Sequence, residues 1–141
     1  MIKNTVGQVE NRMRKPNIAV LGATGVVGRE ILKILVENNV PYNEIKFLAS
    51  AKSAGKKIEF KGEEHTIIEA TPESFEGVNI VLASAGGSTS LKLAPEAVKR
   101  GCVFIDNSSA YRMDKDCPLV IVGVNDNDLK NHKGIIPNPN C

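Results

Sequence analysis

Apolar and polar positions alternate between two rhythms along this chain. Asn17-Ile18-Ala19-Val20-Leu21 is a short, continuous apolar run ended by Gly22. From Val26 to Asn38 the apolar residues Val27, Ile31, Leu32, Ile34 and Leu35 recur at helical spacing, and Asn38-Asn39 and Pro41 close the segment. Ile45 to Ala49 reads as a second strand. Lys57 to Phe60 and His65 to Ile68, joined through Lys61-Gly62-Glu63, read as a hairpin on the sheet edge. Thr71-Pro72-Glu73 starts a short helix, with Thr71 as N-cap and Pro72 at the first helical position, ending by Gly77. Val78 to Ala83 is the third main strand, followed by a helix from Thr89 to Arg100 that Gly101 stops. Val103 to Asp106 is the fourth strand and Leu119 to Val122 the fifth. Asn125 to Asn131 suits a short helix, and Ile135-Ile136 a further strand. Strand and helix in alternation, with short connections, imply a parallel sheet with helices on both faces. Strands that are apolar throughout fit burial on both sides.

The turn after the first strand sharpens this picture. Gly22-Ala23-Thr24-Gly25-Val26-Val27-Gly28 places three glycines between a strand and a helix. Gly22 permits a tight turn, Gly25 lets backbone approach a pyrophosphate, and Gly28 lets helix and sheet pack closely. The helix N-terminus offers free N–H groups to phosphates, and Thr24 adds a hydroxyl. In this context the spacing is a dinucleotide fingerprint; alone it marks any strand-to-helix turn. The expected fold is therefore α/β: a Rossmann-type, doubly wound, mostly parallel sheet with an edge hairpin, occupying residues 17–141. Residues 1–16 read as a loosely ordered extension.

The second strand ends in Leu48-Ala49-Ser50-Ala51-Lys52-Ser53, with no carboxylate for the ribose hydroxyls of NAD. Ser50, Lys52 and Ser53 suit a 2′-phosphate, so NADP is the expected cofactor; a polar surface loop gives the same letters. Ser84-Ala85-Gly86-Gly87-Ser88 borders the same edge, where small residues leave room for a cofactor, although Ser88 as an N-cap explains part of the pattern. Asp106-Asn107-Ser108-Ser109-Ala110-Tyr111-Arg112 closes the fourth strand. Arg112 there is either an anion clamp or a plain surface arginine.

Composition narrows the remaining classes. Among 141 residues, 18 Lys and Arg nearly balance 16 Asp and Glu, which argues against a dedicated nucleic-acid binder. No apolar run approaches the ~20 residues of a membrane helix, and the first sixteen residues hold no secretory core. A cytoplasmic location is expected. Cys102, Cys117 and Cys141 show no paired spacing, and neither disulfides nor a metal cluster are expected. Cys102 beside Val103-Phe104-Ile105 reads as a small core hydrophobe. His65 and His132 have no spacing that makes a triad with Asp106, Asn107 or Ser108. Cys141 follows Pro139-Asn140 and is either a plain thiol or a nucleophile delivered to the nucleotide site.

Taken together, Gly22 to Gly28, Leu48 to Gly55, Ser84 to Ser90, Asp106 to Arg112, Pro118-Leu119-Val120 with Val124-Asn125, and Pro139-Asn140-Cys141 resemble the aspartate-β-semialdehyde dehydrogenase family over residues 17–141. The resemblance implies NADPH-dependent reductive dephosphorylation of L-aspartyl-4-phosphate, on the route to lysine, threonine and methionine. It implies Cys141 as the nucleophile that forms a thioester. It also implies Arg112 at the substrate phosphate, with Asn107 beside the substrate. Thr24, Gly25, Val26 and Val27, with Lys52 and Ser53, match the family's NADP contacts, and Gly22, Gly28, Ser50, Ser84 and Gly86 are the further cofactor-binding residues expected from the strand-end loops themselves. Family members are more than twice as long and are expected to be homodimers. The chain therefore reads as a cofactor domain cut at its nucleophile, without turnover by itself. N-acetyl-γ-glutamyl-phosphate reductase, which shares the glycine turn and a cysteine nucleophile, is one alternative. A non-catalytic NADP-binding module is another.

Overall fold

A computed structural model describes residues 14–139. Residues 1–13 of the expected extension, together with Asn140 and Cys141, lie outside the described residues. The chain forms strand β1 (Ile18–Leu21), helix α1 (Val26–Glu37), strands β2 (Ile45–Ala49), β3 (Lys57–Phe60), β4 (Glu63–Thr66) and β5 (Ile68–Glu69), and a 3-10 turn at Pro72–Phe75. Strand β6 (Ile80–Ala83), helix α2 (Gly87–Lys99), strand β7 (Val103–Asp106), a second 3-10 turn at Asp126–Asn131 and strand β8 (Ile135–Pro137) follow.

Six strands form one sheet in the order β5-β2-β1-β6-β7-β8, and every pair is parallel. β1 lies inside it, with Ile18 level with both Ile45 and Ile80. The period of two in β1 divides the core between two faces. Ile18 and Val20 pack with Leu32 and Leu35 of α1, while Ala19 and Leu21 pack with Leu93, Ala94 and Ala97 of α2. The helices thus cover opposite faces, which is the doubly wound arrangement expected from the sequence.

Two expected elements turn out differently. The hairpin forms, but β3 and β4 pair only with each other as a separate two-stranded sheet. Its turn is the two residues Lys61 and Gly62, both at positive φ, the geometry that follows strand twist. Phe60 packs against Phe47 with ring centroids 5.5 Å apart, so the hairpin lies on the α1 face of β2 instead of prolonging the sheet. After Ile67 the chain turns into β5, which takes the edge position beside β2. The second difference is Leu119 to Val122, which forms no strand. Only Val120 of this run is buried, and Val122 is 90 % exposed. Its backbone is held by one side chain: Asn125 accepts from Ile121 N–H at 2.6 Å and donates to Leu119 O at 2.8 Å. The sheet position next to β7 belongs to β8.

Smaller elements follow the sequence closely. At the first 3-10 turn, Pro72 opens the helical residues and Thr71 N–H donates to Ser74 Oγ at 3.1 Å. Helix α2 begins two residues before the expected Thr89, with Gly86 at φ 95° as its N-cap, so Ser88 is not the cap. Cys102 is buried one residue ahead of β7 and donates its thiol to Val78 O at 3.1 Å. Burial pushes its thiol pKa up, as it does for the half-buried Cys117.

Candidate functional site

The carboxyl ends of β1, β2 and β6 open onto a groove of about 360 Å³. Leu21, Gly22, Thr24 and Gly25 form one wall, and Ala49, Ser50 and Ala70 a second. Ser84, Ala85, Thr89, Lys92 and Leu93 complete it.

Each glycine of the turn has a distinct geometric task. Gly22 sits at φ 84°, and a Cβ there would meet the backbone of Ser84 at 3.0 Å. A Cβ on Gly28 would lie 2.0 Å from Gly22 O, so α1 can approach the turn only without one. Gly25 is different. It is the N-cap of α1 at φ −76°, and a Cβ there would meet only Gly22 O, at 3.6 Å. The protein itself leaves Gly25 room for a side chain; its bareness opens the groove. No side chain caps α1, so the unpaired N–H groups of its first turn face outward. Val26 beside them is 88 % exposed. This is a fit for a pyrophosphate: donors without partners, a positive helix end, and no carboxylate on the groove wall.

Ser50 and Ser84 line the groove as expected, and Ser84 also donates to Leu21 O at 3.3 Å. Lys52, Ser53 and Gly86 do not line it. The loop after β2 folds back on itself, with Ser53 and Ala54 N–H both donating to Ser50 O, and Lys52 is exposed. Sequence reasoning missed Thr89 and Lys92. Their helical spacing puts both on one face of α2, but only the sheet order shows that this face borders the groove.

A second recess, of about 140 Å³, lies by the ends of β6, β7 and β8. Val27, Ile31, Leu82, Ala83, Ile105, Asn107 and Asn138 line it. Arg112 stands nearby and ties two strand exits together. Its Nε donates to Asn138 O at 2.7 Å and its Nη2 to Asn107 O at 2.9 Å. The other edge, with Nη1, makes no hydrogen bond among the described residues. Asp106, fully buried, is not open to a ligand. Its carboxylate accepts from Ser90 Oγ at 2.9 Å, Ser108 N–H at 2.8 Å and Ser108 Oγ at 2.8 Å. Its backbone carbonyl accepts from Asn138 N–H at 2.8 Å.

A strand-end groove floored by a glycine turn is shared by many nucleotide-binding proteins; comparison with known sequences decides among them. Residues 17–132 match the family model described as semialdehyde dehydrogenase, NAD binding domain. The chain belongs to this family. Aspartate-semialdehyde dehydrogenase of Bacillus subtilis is 58 % identical over 125 residues, which cover 89 % of this chain and 36 % of that protein. Aspartate semialdehyde dehydrogenase II of Vibrio cholerae, solved in complex with ASA, superposes with a TM-score of 0.84 at 41 % identity, over 91 % of this chain and 42 % of that one. The enzyme of Candida albicans, solved with NADP, gives 0.69 at 25 % identity over 87 % and 42 %. The chain thus spans little more than a third of the length of the curated relatives it matches, and it corresponds to their nicotinamide-dinucleotide-binding domain. Among the described residues no helix of this semialdehyde dehydrogenase domain is long and apolar enough to cross a membrane.

Proposed function

We propose that residues 17–141 are the NADP-binding domain of an aspartate-semialdehyde dehydrogenase, which converts L-aspartyl-4-phosphate to L-aspartate-4-semialdehyde. The observation that carries the reading is the groove over Gly22, Thr24 and Gly25, whose wall contains Ser50 and no Asp or Glu. A site for NAD places a carboxylate at the end of the second strand. The glycine turn and the N-terminus of α1 hold the pyrophosphate, and the smaller recess beside Asn107 takes the nicotinamide end. When bound, NADPH supplies the reducing equivalent.

The chain's own residues supply the rest. The Cys141 thiolate attacks the acyl carbon, inorganic phosphate leaves, and a thioester joins substrate to protein. A thioester accepts reduction where a carboxylate does not. Arg112 does two things in this reading. One edge of its guanidinium fixes the backbone three residues before Cys141, and the other is turned to the substrate phosphate. The full-length enzyme would be a cytoplasmic homodimer, as the family resemblance implies.

Calorimetric titration with NADPH and NADH tests the cofactor half. NADPH is expected to bind more tightly, and equal affinity or tighter NADH would overturn the assignment. The chemical half is tested in a chain extended to the length of the relatives. There Cys141→Ala is expected to abolish aldehyde formation; retained activity would remove Cys141 from the mechanism.

A further inference from the structure

Two main-chain carbonyls hold the Arg112 side chain. Its Nε donates to Asn138 O at 2.7 Å and its Nη2 to Asn107 O at 2.9 Å. A guanidinium is planar, so fixing one edge also fixes where the outer edge points, which is Nη1 with the second hydrogen of Nη2. The aim of Arg112 is therefore set by the placement of these two carbonyls. Both are governed from one residue. Asn107 lies between Asp106 and Ser108, and the fully buried Asp106 carboxylate closes that turn, accepting from Ser108 N–H at 2.8 Å and Ser108 Oγ at 2.8 Å. Asn138 N–H donates to the backbone carbonyl of the same Asp106 at 2.8 Å. Ser108 Oγ accepts in turn from Ala110 N–H at 3.3 Å, and Arg112 N–H donates to Ser109 O at 3.3 Å. Hydrogen bonds thus run from the carboxylate to the backbone of the arginine itself. Ser90 Oγ, from α2, also donates to this carboxylate, at 2.9 Å, but bonds no part of the turn that carries Asn107.

We propose that Asp106 is a positioning residue: acting through Ser108, it holds the carbonyls of Asn107 and Asn138 so that the outer edge of Arg112 meets the substrate phosphate. This rests on the reading of Arg112 given above and extends it to the groups that aim the guanidinium. An arginine pairs with phosphate through two parallel hydrogen bonds, and both must be in register. A small swing of the plane therefore weakens the hold on phosphate and leaves the nucleotide groove as it was. A junction that only braced the fold would change stability and not the hold on phosphate.

The test uses the chain extended to the length of its relatives, assayed in the direction of aldehyde oxidation, where inorganic phosphate is a substrate and has its own KM. Ser108→Ala and Ser90→Ala each remove one hydroxyl from the same carboxylate, and both leave Asp106 in place to hold the fold. Ser108→Ala is expected to raise the KM for phosphate about ten-fold, the order of one misdirected charge-assisted hydrogen bond. Its KM for NADP, and both KM values in Ser90→Ala, should stay within about two-fold of the wild type. Ser108→Thr, which keeps the hydroxyl, should restore the wild-type phosphate KM. An Arg112→Lys background separates an indirect effect from a direct one: if Ser108 acts through the guanidinium, Ser108→Ala adds no further rise there. Three results would overturn the inference while Arg112 keeps its role: an unmoved phosphate KM in Ser108→Ala, an equal rise in Ser90→Ala, or a rise that persists in full in the Arg112→Lys background. Arg112→Lys without effect on the phosphate KM would overturn the reading of Arg112 and this inference with it.

Discussion

Gly22, Gly25 and Gly28, spaced three residues apart, look alike in a sequence and differ in consequence once their surroundings are known. Gly28 is closed by the protein. A methyl group there lies 2.0 Å from Gly22 O, a backbone atom that cannot swing away. Gly28→Ala should cost about 3 kcal/mol or more of stability, at the upper end of overpacking, and urea denaturation would show it. Gly25 is closed by nothing in the protein, since a Cβ there would meet only Gly22 O at 3.6 Å. Gly25→Val should lose about 1 kcal/mol at most, the scale of an N-cap change, while abolishing NADPH binding. A variant that binds normally would mean that the pyrophosphate rests elsewhere. The spacing made both residues visible beforehand, because close approach has only one residue that permits it. Lys92 was not visible. Leu91-Lys92-Leu93 in a helix reads as one solvated lysine between packing residues, and only the tertiary arrangement turns it to the groove.

Among elements, those whose chemistry is local were legible and those decided by a partner were not. β1, β2 and β7 are apolar runs bounded by glycine or polar residues, and the structure places them within a residue of the sequence reading. Leu119 to Val122 carries the same signal with the opposite outcome, because Asn125, four to six positions away, claims its backbone before any strand can. The hairpin was recognisable from its turn, yet its partner was not, since a rich aromatic contact with Phe47 competes with edge pairing. The cluster after β7 read as a ligand-facing group, whereas Asp106 is a structural junction of α2, β7 and the exit of β8. Asp106→Ala would leave two hydroxyls and an N–H without their acceptor. The expected cost is about 3 kcal/mol or more, against about 1 kcal/mol for Ser90→Ala. Comparable denaturation midpoints for the two variants would show that the carboxylate is not the centre of the junction.

The molecule as a whole answers to pH through its sheltered thiols. Burial raises the pKa of Cys102 and Cys117 in the folded state. An unfolded thiol ionises near 8.5, so between that value and the raised folded ones the unfolded chain has released protons that the folded chain still holds. Stability contributed by these thiols is complete below this window and is lost as pH rises through it. Urea midpoints should fall as pH rises above the unfolded-thiol value of about 8.5, and Cys102→Ala should flatten the fall; an unchanged slope would assign it to other groups. Fold class was readable at this scale because alternation of strand and helix admits few topologies. The shape of the groove was not, since it is assembled from five separate stretches of chain.

The interior position of β1 also sets when the groove can exist during folding. Gly22 meets its counterpart Ser84 only after a long segment has closed: the contact of Ser84 with Leu21 joins residues 63 positions apart. The pairing of β1 with β2 spans a shorter loop, and loop closure grows costlier with length, if slowly. The β1–β2 half can therefore form while the β6 wall is still absent. Ligand capture is consequently a late event in the life of a refolding chain, and a nucleotide added at the start of refolding should slow unfolding without hastening the first collapse.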